Sequence, residues 1–599
     1  MARISYLEMT WHPTFFQKIG IKCSYLTANI TSTKVIKGFK TMQKRIKIIL
    51  AVLISCLVIG GLVYQFTGVK TLFDKDILST AQIKKNIGSQ TVKTRTNSQK
   101  QLTATYKAKL ASGDYTNANP YIKVNPYGTS PLSALVVFKT DSAVKVSVEV
   151  VGKTAKTSIK SNVETSYQKN HTISVLGLYA DYQNKVKLTL TDKDGHKTVK
   201  TLTIKTDALP EAVQSMSLKV TKNDKTKMSI GDSNLTFLVR STQYPVGVDA
   251  DGQIRWYSTN YVQHIFKVLS NGHLLYLTKP DNADLVYNDL VETDFMGRVY
   301  QEYKFSTETK SNESANSKDE TTIIHHDAIE LPNHNLLLTV SDGGSKYVED
   351  TMVEISRKTG KVVKVIDLKK LLPAKLYKEY KATKRADGKL DWFHQNSIDY
   401  DTSDDSIVIS SRSQDTIMKL DYKTCKIKWI FSSKAASKWP ARYRKLLLKA
   451  ADSQTTFTGG QHAATIWATN ETDQKQLVLF NNNVAISNGD KKTSGQYSEG
   501  VSYLVDETNK TIKKTWSYGK TLGKTNFSNV IGSNRKMTNG NYLIDFGFNN
   551  AGKTSHIVEV DPTTNQQVFN LTFTNFGAKG YAYRAERFAL YSSNYQFKL

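Results

Sequence analysis

A chain of 599 residues is longer than one hydrophobic core usually serves, so the sequence predicts two or three folded domains. The net charge of +29 comes from scattered lysines, which argues against a nucleic-acid-binding protein and for a Lys-rich surface near an anionic cell envelope. Only one cysteine, Cys425, lies beyond residue 66, which excludes an intrachain disulfide and a cysteine-based metal site in the folded body.

An apolar segment near the N-terminus predicts a membrane span. Residues 48–66 carry no charge and are numerous enough to cross a bilayer. The residues from 34 to 47 include lysines and an arginine but no acid, which orients the N-terminus toward the cytoplasm. We expect a cytoplasmic basic tail at 1–47, a transmembrane anchor or signal segment at 48–66, and a single-pass membrane protein whose folded body lies on the extracellular face. A start at Met42, cleavage of the segment and lipidation at Cys56 stay open.

The next two segments differ in pattern. Residues 67–115 are polar and rich in Lys, Thr and Gln, which predicts a stalk with a short helix. Residues 116–210 contain short alternating apolar runs at 134–138, 144–152, 171–179, 186–192 and 199–205. Strands at this spacing predict a small N-terminal β-sandwich.

Residues 211–599 repeat one unit about six times: apolar strands joined by turns, with a carboxylate before the last turn. Copies include LSNGHLLYL with VETDFMGRVYQEY and LPNHNLLLTV with VEISRKTGKVVKVI. Units this small cannot bury their own faces, so the pattern predicts closure into a six-bladed β-propeller. The fold class is therefore all-β, with helical insertions expected within 369–390 and 432–453.

Most of the eleven histidines suit ordinary strand or turn positions, namely His12, His171, His196, His264, His273, His334 and His556. The remaining four stand at corresponding starts of repeat units. His325 and His326 precede one strand, His394 precedes another, and His462 opens a third. Blade geometry would bring such residues to one mouth of the central channel, and Arg412 follows His394 by one strand hairpin. These residues are the candidate site.

The segments WFHQNSIDYD, SSRSQD, MKLDYKTCKIKWIF and GGQHAA resemble the bacterial arylsulfotransferase family. NPYGTSPLSAL and HTISVLGLYADYQNKV resemble its N-terminal domain, so the resemblance covers roughly residues 110–599. It implies a six-bladed propeller, at 211–599, that follows a β-sandwich. It also implies ping-pong transfer of a sulfuryl group from an aryl sulfate to a phenol, independent of the nucleotide sulfate donor and of any cofactor or metal.

The resemblance assigns roles to single residues. His462 matches the sulfated histidine, Arg412 the sulfate-binding arginine, and His394 and His326 the two supporting histidines. His326 is preferred over His325 because it directly precedes Asp327, and that choice stays open. Asn396 lies in the same motif and is expected to help bind the substrate. The resemblance is compatible with a homodimer, and many exported relatives hold a cysteine pair that this body lacks.

These residue types also suit sulfuryl transfer for chemical reasons that do not depend on the resemblance. A sulfate monoester carries charge on peripheral oxygens, and the planar fork of an arginine can hold two of them. An uncharged imidazole can attack sulfur and divide one transfer into two easier halves. A second imidazole can protonate the departing phenolate, because histidine titrates near neutral pH.

Two other interpretations remain. A non-enzymatic surface propeller that binds polyanions or a protein partner would explain the positive charge, but not the equivalent placement of the histidines and the arginine. A zinc hydrolase would use His326, His394 and His462 as three ligands. The adjacent arginine argues against it, since a fixed positive charge disfavours a bound cation.

Overall fold

The computed structural model describes residues 75–279, 287–305, 323–381, 385, 387–575 and 581–599. Lys75–Leu599 form one compact unit. The predicted cytoplasmic tail at 1–47, the predicted span at 48–66 and the first residues of the predicted stalk lie outside the described residues.

The prediction of a single-pass membrane protein is wrong. A helical span needs about 20 consecutive, mainly apolar residues. No helix among the described residues is long and apolar enough to cross a membrane. Lys100–Ser112, a helix of 13 residues, is mostly polar.

The segment predicted as a stalk is packed against the body in its described part. It contains α1 (Thr80–Ile87), β1 (Gln90–Val92), α2 (Thr94–Ser98) and α3 (Lys100–Ser112). Ser79 and Gln82 form a capping box at the start of α1, and Gly88 ends the helix in the left-handed conformation. Ile83 and Ile87 are fully buried, and β1 pairs with Val299–Lys304. Burial of these apolar side chains holds the segment on the body instead of leaving it extended.

The N-terminal domain is a six-stranded antiparallel assembly. Its strands are β2 (Tyr121–Val124), β3 (Ser133–Val150), β4 (Ile159–Asn162), β5 (Gln168–Leu176), β6 (Gln183–Thr191) and β7 (Lys197–Lys205). The long strand β3 pairs with β2 and β5 through its first half and with β4 and β6 through its second. The runs at 134–138 and 144–152, predicted as two strands, are therefore one strand whose pairing with β5 shifts register after Lys139.

The rest of the chain builds six sheets, whose strands pair antiparallel except for one short parallel pair in the fifth. After α4 (Glu211–Gln214) and β8 (Met216–Asn223), the first comprises β9 (Asn234–Arg240), β10 (Val246–Val248) and β11 (Ile254–Tyr257). The second comprises β12 (Phe266–Val268), β13 (Leu274–Thr278), β14 (Asp289–Thr293) and β15 (Val299–Lys304). The third comprises β16 (Ile324–Glu330), β17 (Leu336–Val340), β18 (Thr351–Ile355) and β19 (Val362–Asp367).

Short helices separate the later sheets: α5 (Leu368–Leu371) and α6 (Lys375–Lys378), then α7 (Ala441–Arg444). The fourth sheet comprises β20 (Gln395–Asp401), β21 (Ser406–Ser411), β22 (Thr416–Asp421) and β23 (Ile427–Ser432). The fifth comprises β24 (Lys449–Ala450), β25 (His462–Ala468), β26 (Gln474–Asn481), β27 (Glu499–Asp506) and β28 (Thr511–Tyr518). The sixth comprises β29 (Ser533–Lys536), β30 (Tyr542–Asn549), β31 (Thr554–Asp561) and β32 (Gln566–Asn575).

The last strand returns to the first sheet. β33 (Ala582–Ala589) pairs with β9, and β8 pairs with β32, so the first and sixth sheets each contain strands from both ends of the repeat region. Along the chain, β16 packs against β20, β20 against β25, β25 against β29 and β29 against β33. The first strands of successive sheets are therefore neighbours. The closed propeller itself stays a prediction.

The core lies between neighbouring sheets and between the first sheet and the sandwich. Arg255 joins the first sheet to the sandwich. Its buried guanidinium donates to the carbonyls of Gly177 and Thr157 at 2.8 and 2.7 Å and pairs with Asp249 at 3.0 Å. The ring of Tyr179 lies 3.8 Å from its central carbon. Because Arg255 donates to two carbonyls of the sandwich, it ties the sandwich to the sheet that carries β9.

Candidate active site

The starts of the first strands share an uncommon backbone conformation. His264, His326, His394, Ala463 and Ile531 have φ angles of 56°, 33°, 51°, 56° and 54°. Each lies at or just before the first strand of a different sheet. Three of these strands, β16, β20 and β25, also shift register there. Positive φ is strained for residues with a Cβ atom, and a bulge turns side chains away from regular alternation.

This backbone places four imidazole rings in one row. The ring centres of His264 and His326 are 4.8 Å apart, those of His326 and His394 4.5 Å, and those of His394 and His462 6.3 Å. Tyr583, on β33, extends the row with its ring 4.2 Å from that of His264. His264, assigned an ordinary packing or surface role from sequence, belongs to the cluster instead.

His462 is held by its Nδ1 atom. This atom lies 2.7 Å from Oδ1 of Asn482 and 3.0 Å from the carbonyl oxygen of Gly460, and the side chain is buried. Both partners can only accept a hydrogen bond, so Nδ1 carries the proton and Nε2 has the free lone pair. Burial lowers the pKa of His462 well below its usual value, and the charge of Arg412 lowers it further.

His394 is in the opposite electrostatic state. Its Nδ1 atom lies 2.5 Å from Asp391 and 2.9 Å from Glu349. Burial alone would lower the pKa of His394, but the Asp391 and Glu349 carboxylates outweigh burial and raise it to about 10. His394 is therefore an imidazolium at neutral pH, next to a neutral His462.

The two carboxylates form one charged group with His394. Burial raises the pKa of Asp391, and the neighbouring charge of Glu349 raises it further. For Glu349 burial is outweighed chiefly by the charge of His394, which holds its pKa well below the usual range. Arg385 also donates to Glu349 at 3.1 Å. The two carboxylates are thus balanced by two cations, His394 itself and Arg385.

His325 and His326 contact each other through their Nδ1 atoms at 3.0 Å. Burial lowers the pKa of His325 to about 4 and that of His326 well below its usual value. Both rings are therefore neutral at physiological pH. The ring of His326 contacts that of His394, whereas His325 reaches this row through His326.

Arg412 lies in the turn between β21 and β22. Its backbone N–H donates to the carbonyl oxygen of His394 at 3.2 Å, which fixes the arginine beside that histidine. Its guanidinium donates to the carbonyl of Asn529 at 3.4 Å, and its Nε atom has no hydrogen-bond partner among the described residues. A partly buried cation with an unused donor can take an anionic ligand.

Asn396 is anchored behind this row. Its Nδ2 atom donates to the carbonyl of Gln461 at 2.7 Å, and its own carbonyl accepts from Arg584 at 2.6 Å. Arg584 pairs with Asp327 at 3.1 Å, and the pKa of Asp327 falls to about 2 because Arg584 and Lys267 outweigh the effect of burial. Asn396 therefore connects the His462 loop to a buried ion pair on β33 and β16.

The ligand set considered for zinc is not brought together. Among the described residues, the groups with metal-ligand spacing near the row are His325 with His326 and Glu349, and Glu349 with Asp391 and His394. His462 is in neither group. Glu349 is already paired with His394 and Arg385. The carboxylates of these groups therefore already take part in ion pairs with His394 and Arg385.

Comparison with known proteins adds to this geometry. The family model described as Arylsulfotransferase (ASST) matches residues 220–584. A second model, the arylsulfotransferase Ig-like domain, matches residues 121–207. The chain belongs to the arylsulfotransferase family. The two matches coincide with the six sheets and with the N-terminal sandwich.

Two curated proteins are similar to this member of the family. Arylsulfate sulfotransferase AssT of Lelliottia amnigena is 25% identical over 514 residues, which covers 68% of this chain and 81% of the relative. Arylsulfate sulfotransferase AssT of Escherichia coli O6:H1 is 25% identical over 537 residues, which covers 71% of this chain and 84% of the relative.

Solved structures are more distant. The periplasmic gluconolactonase PpgL of Pseudomonas aeruginosa is 10% identical, with a TM-score of 0.29 over 69% of this chain and 98% of that one. A score this low supports no conclusion about fold or activity.

The five residues chosen from sequence lie in one region: His326, His394 and His462 in the row, Arg412 bonded to the His394 backbone, and Asn396 bonded to the residue before His462. Sequence analysis missed Asn482, Glu349 and Asp391. Asn482 and Glu349 are of common residue types and lie far along the chain from the motifs they support. One signal was available, since Asp391 stands three residues before His394 in DWFHQNS.

Proposed function

We propose that this protein is an aryl-sulfate sulfotransferase that moves a sulfuryl group from a phenolic sulfate ester to a phenol in two half-reactions, through a sulfated His462, without a nucleotide sulfate donor. Family membership supports the reaction class. The observation that carries the mechanism is the hydrogen bond from Nδ1 of His462 to Oδ1 of Asn482.

That hydrogen bond selects the attacking atom. The amide of Asn482 is oriented by Nδ2, which donates to the carbonyls of Ser528 and Ile531, each at 2.8 Å. Its Oδ1 atom must then face His462, and the imidazole presents Nε2 with a free lone pair. Because its pKa is low, His462 is uncharged at neutral pH and Nε2 can attack sulfur.

Arg412 is the counter-charge for the sulfuryl oxygens. Positioning and charge stabilisation dominate in transfers through loose transition states, and sulfuryl transfer resembles phosphoryl transfer in this respect. The guanidinium remains charged and has an unpaired Nε–H donor in the described part of the chain. Asn396 is expected to assist by holding the carbonyl of Gln461, the residue before His462, since its own Oδ1 atom is fully buried.

His394 is suited to be the general acid. Its Nδ1–H is bound by two carboxylates, so Nε2–H is the proton it can transfer. Its pKa of about 10 is close to that of a phenol, about 10, which is the best match for proton exchange with that group.

The two halves balance. In the first, the S–O bond to the aryl group breaks, the S–Nε2 bond to His462 forms, and the His394 proton goes to the departing phenolate. In the second, the acceptor oxygen attacks sulfur, its proton returns to His394, and the S–Nε2 bond breaks. His326 is neutral and its ring contacts that of His394. It therefore helps to hold His394 in place without taking the proton that His394 transfers.

The six sheets suit the blades of a propeller. Their first strands are sequential neighbours, and β33 joins the end of the chain to the first sheet. Such closure would bring loops from distant segments to one axis, as the row of rings requires.

The test uses the full chain, a chromogenic aryl sulfate, a second phenol and no nucleotide. Wild type should transfer the group and His462→Asn should not. With labelled sulfate ester and no acceptor, label should remain on His462. His196→Asn, which changes an exposed histidine of the sandwich, is the matched control and should keep full activity. Equal turnover in wild type and His462→Asn would remove the proposed nucleophile.

A further inference from the structure

A buried carboxylate outside the proposed catalytic group links the two segments that carry His462 and Arg412. Asp415 lies three residues after Arg412, in the same turn, and is 1% exposed. Its backbone N–H donates to the carbonyl of Arg412 at 3.2 Å, and its φ angle is 47°. The turn therefore fixes Asp415 relative to Arg412.

Among the described residues, the carboxylate of Asp415 accepts hydrogen bonds only from backbone N–H groups. Oδ1 accepts from Gly460 at 2.7 Å, and Oδ2 accepts from Ser487, Asn488 and Gly489 at 2.7, 2.8 and 3.3 Å. It forms no ion pair with any described residue. Burial raises its pKa, and the four N–H groups oppose that rise. A charge that is buried without a cation is unfavourable unless all of its hydrogen bonds are made. The turn that carries Asp415, the loop at Gly460 and residues 487–489 are therefore held together at this carboxylate.

One of these bonds leads directly to His462. The Gly460 peptide donates its N–H to Asp415, while the Gly460 carbonyl accepts from Nδ1 of His462 at 3.0 Å. Gly460 has φ of 61°, which favours glycine, and a Cβ atom on Gly459 would lie 2.7 Å from the carbonyl oxygen of Val484. The glycine pair lets the His462 loop approach both Asp415 and the 484–489 segment.

We propose that Asp415 is a positioning residue for sulfuryl transfer, which sets the separation of His462 and Arg412 by binding the loops of both to one carboxylate. The proposal rests on the proposed function. Reacting groups must be placed to within a fraction of an ångström, and a displacement of about 1 Å can lower a rate about 100-fold. Loops are ordinarily the mobile part of a fold, so a shared anchor is needed where two of them build a site.

The test compares Asp415→Asn with wild type in full-length protein. The amide has the size of the carboxylate, but its NH2 group would replace one of the two accepting oxygens and face backbone N–H donors. We expect the rate of His462 labelling by an aryl sulfate, measured in a single turnover, to fall between about 10- and 100-fold. KM should change little, because neither the substrate nor the charge of Arg412 is altered.

Asp545→Asn is the matched control. Asp545 is fully buried and neither of its oxygens has a hydrogen-bond partner in the described structure, so its substitution tests the effect of changing a buried aspartate. It should label His462 at the wild-type rate. A labelling rate in Asp415→Asn equal to that of wild type, or reduced only as far as its folded fraction, would overturn the proposal.

Gly459→Ala covers the case in which Asp415→Asn does not fold. It displaces the same loop from the Val484 side without changing a charge, and it should also slow labelling with little change in KM. A wild-type rate in a folded Gly459→Ala protein would count against the proposal. Absence of label on wild-type His462 would instead defeat the proposed function.

Discussion

Oδ1 of Asn482 lies 2.7 Å from Nδ1 of His462, and both side chains are buried. The two residues come from β25 and from the loop after β26, on either side of one strand hairpin. This contact decides which imidazole nitrogen carries the proton and therefore which one is free to react.

Asn482→Leu should lower kcat by about 10- to 100-fold, because an unpaired buried N–H costs about 1–3 kcal/mol and the tautomer is no longer fixed. Steady-state kinetics with a chromogenic aryl sulfate measure the effect. Asn184→Leu, in the sandwich, removes an equally buried and hydrogen-bonded amide and should leave kcat per folded molecule unchanged. Similar losses in both variants would assign Asn482 to stability alone.

Asp391→Asn should move the alkaline limb of the kcat–pH profile to lower pH. His394 acts as the acid only while protonated, so activity persists below its pKa of about 10 and is lost above it. Removing one of the two anions that raise this pKa lowers it, and activity is lost at lower pH. An unchanged limb, recorded across the alkaline range, would show that His394 is not the titrating acid.

Arg412→Lys should lower kcat/KM by about 100-fold or more, although the charge is retained. A lysine cannot hold two sulfuryl oxygens in one plane, and loss of a charge-assisted donor in the transition state typically has this effect. Arg442→Lys changes an exposed arginine of α7 and is the control. If lysine at 412 supports full activity, a planar guanidinium is not required.

Lys369→Met should destabilise the fold by about 3–5 kcal/mol. The side chain is fully buried and pairs with Asp342, Asp350 and Asp367 at 3.0, 3.0 and 3.3 Å. Among the described residues, its removal leaves Asp342 and Asp350 without a cation and Asp367 with Lys370 alone, at 3.6 Å. Urea unfolding followed by fluorescence measures the change.

Lys187→Met is the comparison for this ion cluster. Lys187 is 38% exposed and pairs with Glu149 at 3.2 Å, so its loss should change the free energy of unfolding by less than about 1 kcal/mol. Equal effects of the two substitutions would mean that burial of Lys369 adds nothing to its ion pairs.

The repeat pattern predicted the number of sheets because short apolar runs separated by turns mark the strands, and that information is local. His394 and Arg412 could be linked for the same reason, since one hairpin separates them. His264 could not be distinguished by sequence from the histidines at ordinary strand positions, because the residues around it form no distinctive motif. Its placement depends on the φ angle of 56° and on packing against His326 and Tyr583.

The predicted single-pass localisation was wrong, and the described part of the predicted stalk is docked on the body. Residues from Lys75 onward look polar, yet a few apolar side chains such as Ile83 and Ile87 are enough to dock them on the body. The described helices are shorter or more polar than a membrane span requires. Composition alone does not report which surface a short segment will cover.

The sequence by itself determined the all-β class, the sandwich, the repeat and the residue types available for chemistry, because these follow from local periodicity and from motifs within one hairpin. Only the tertiary structure decided the protonation of the histidines. The carboxylates of Asp391 and Glu349 charge one ring, and burial with Asn482 keeps another neutral. Electrostatic environment depends on distance in space, which the order of residues along the chain does not contain.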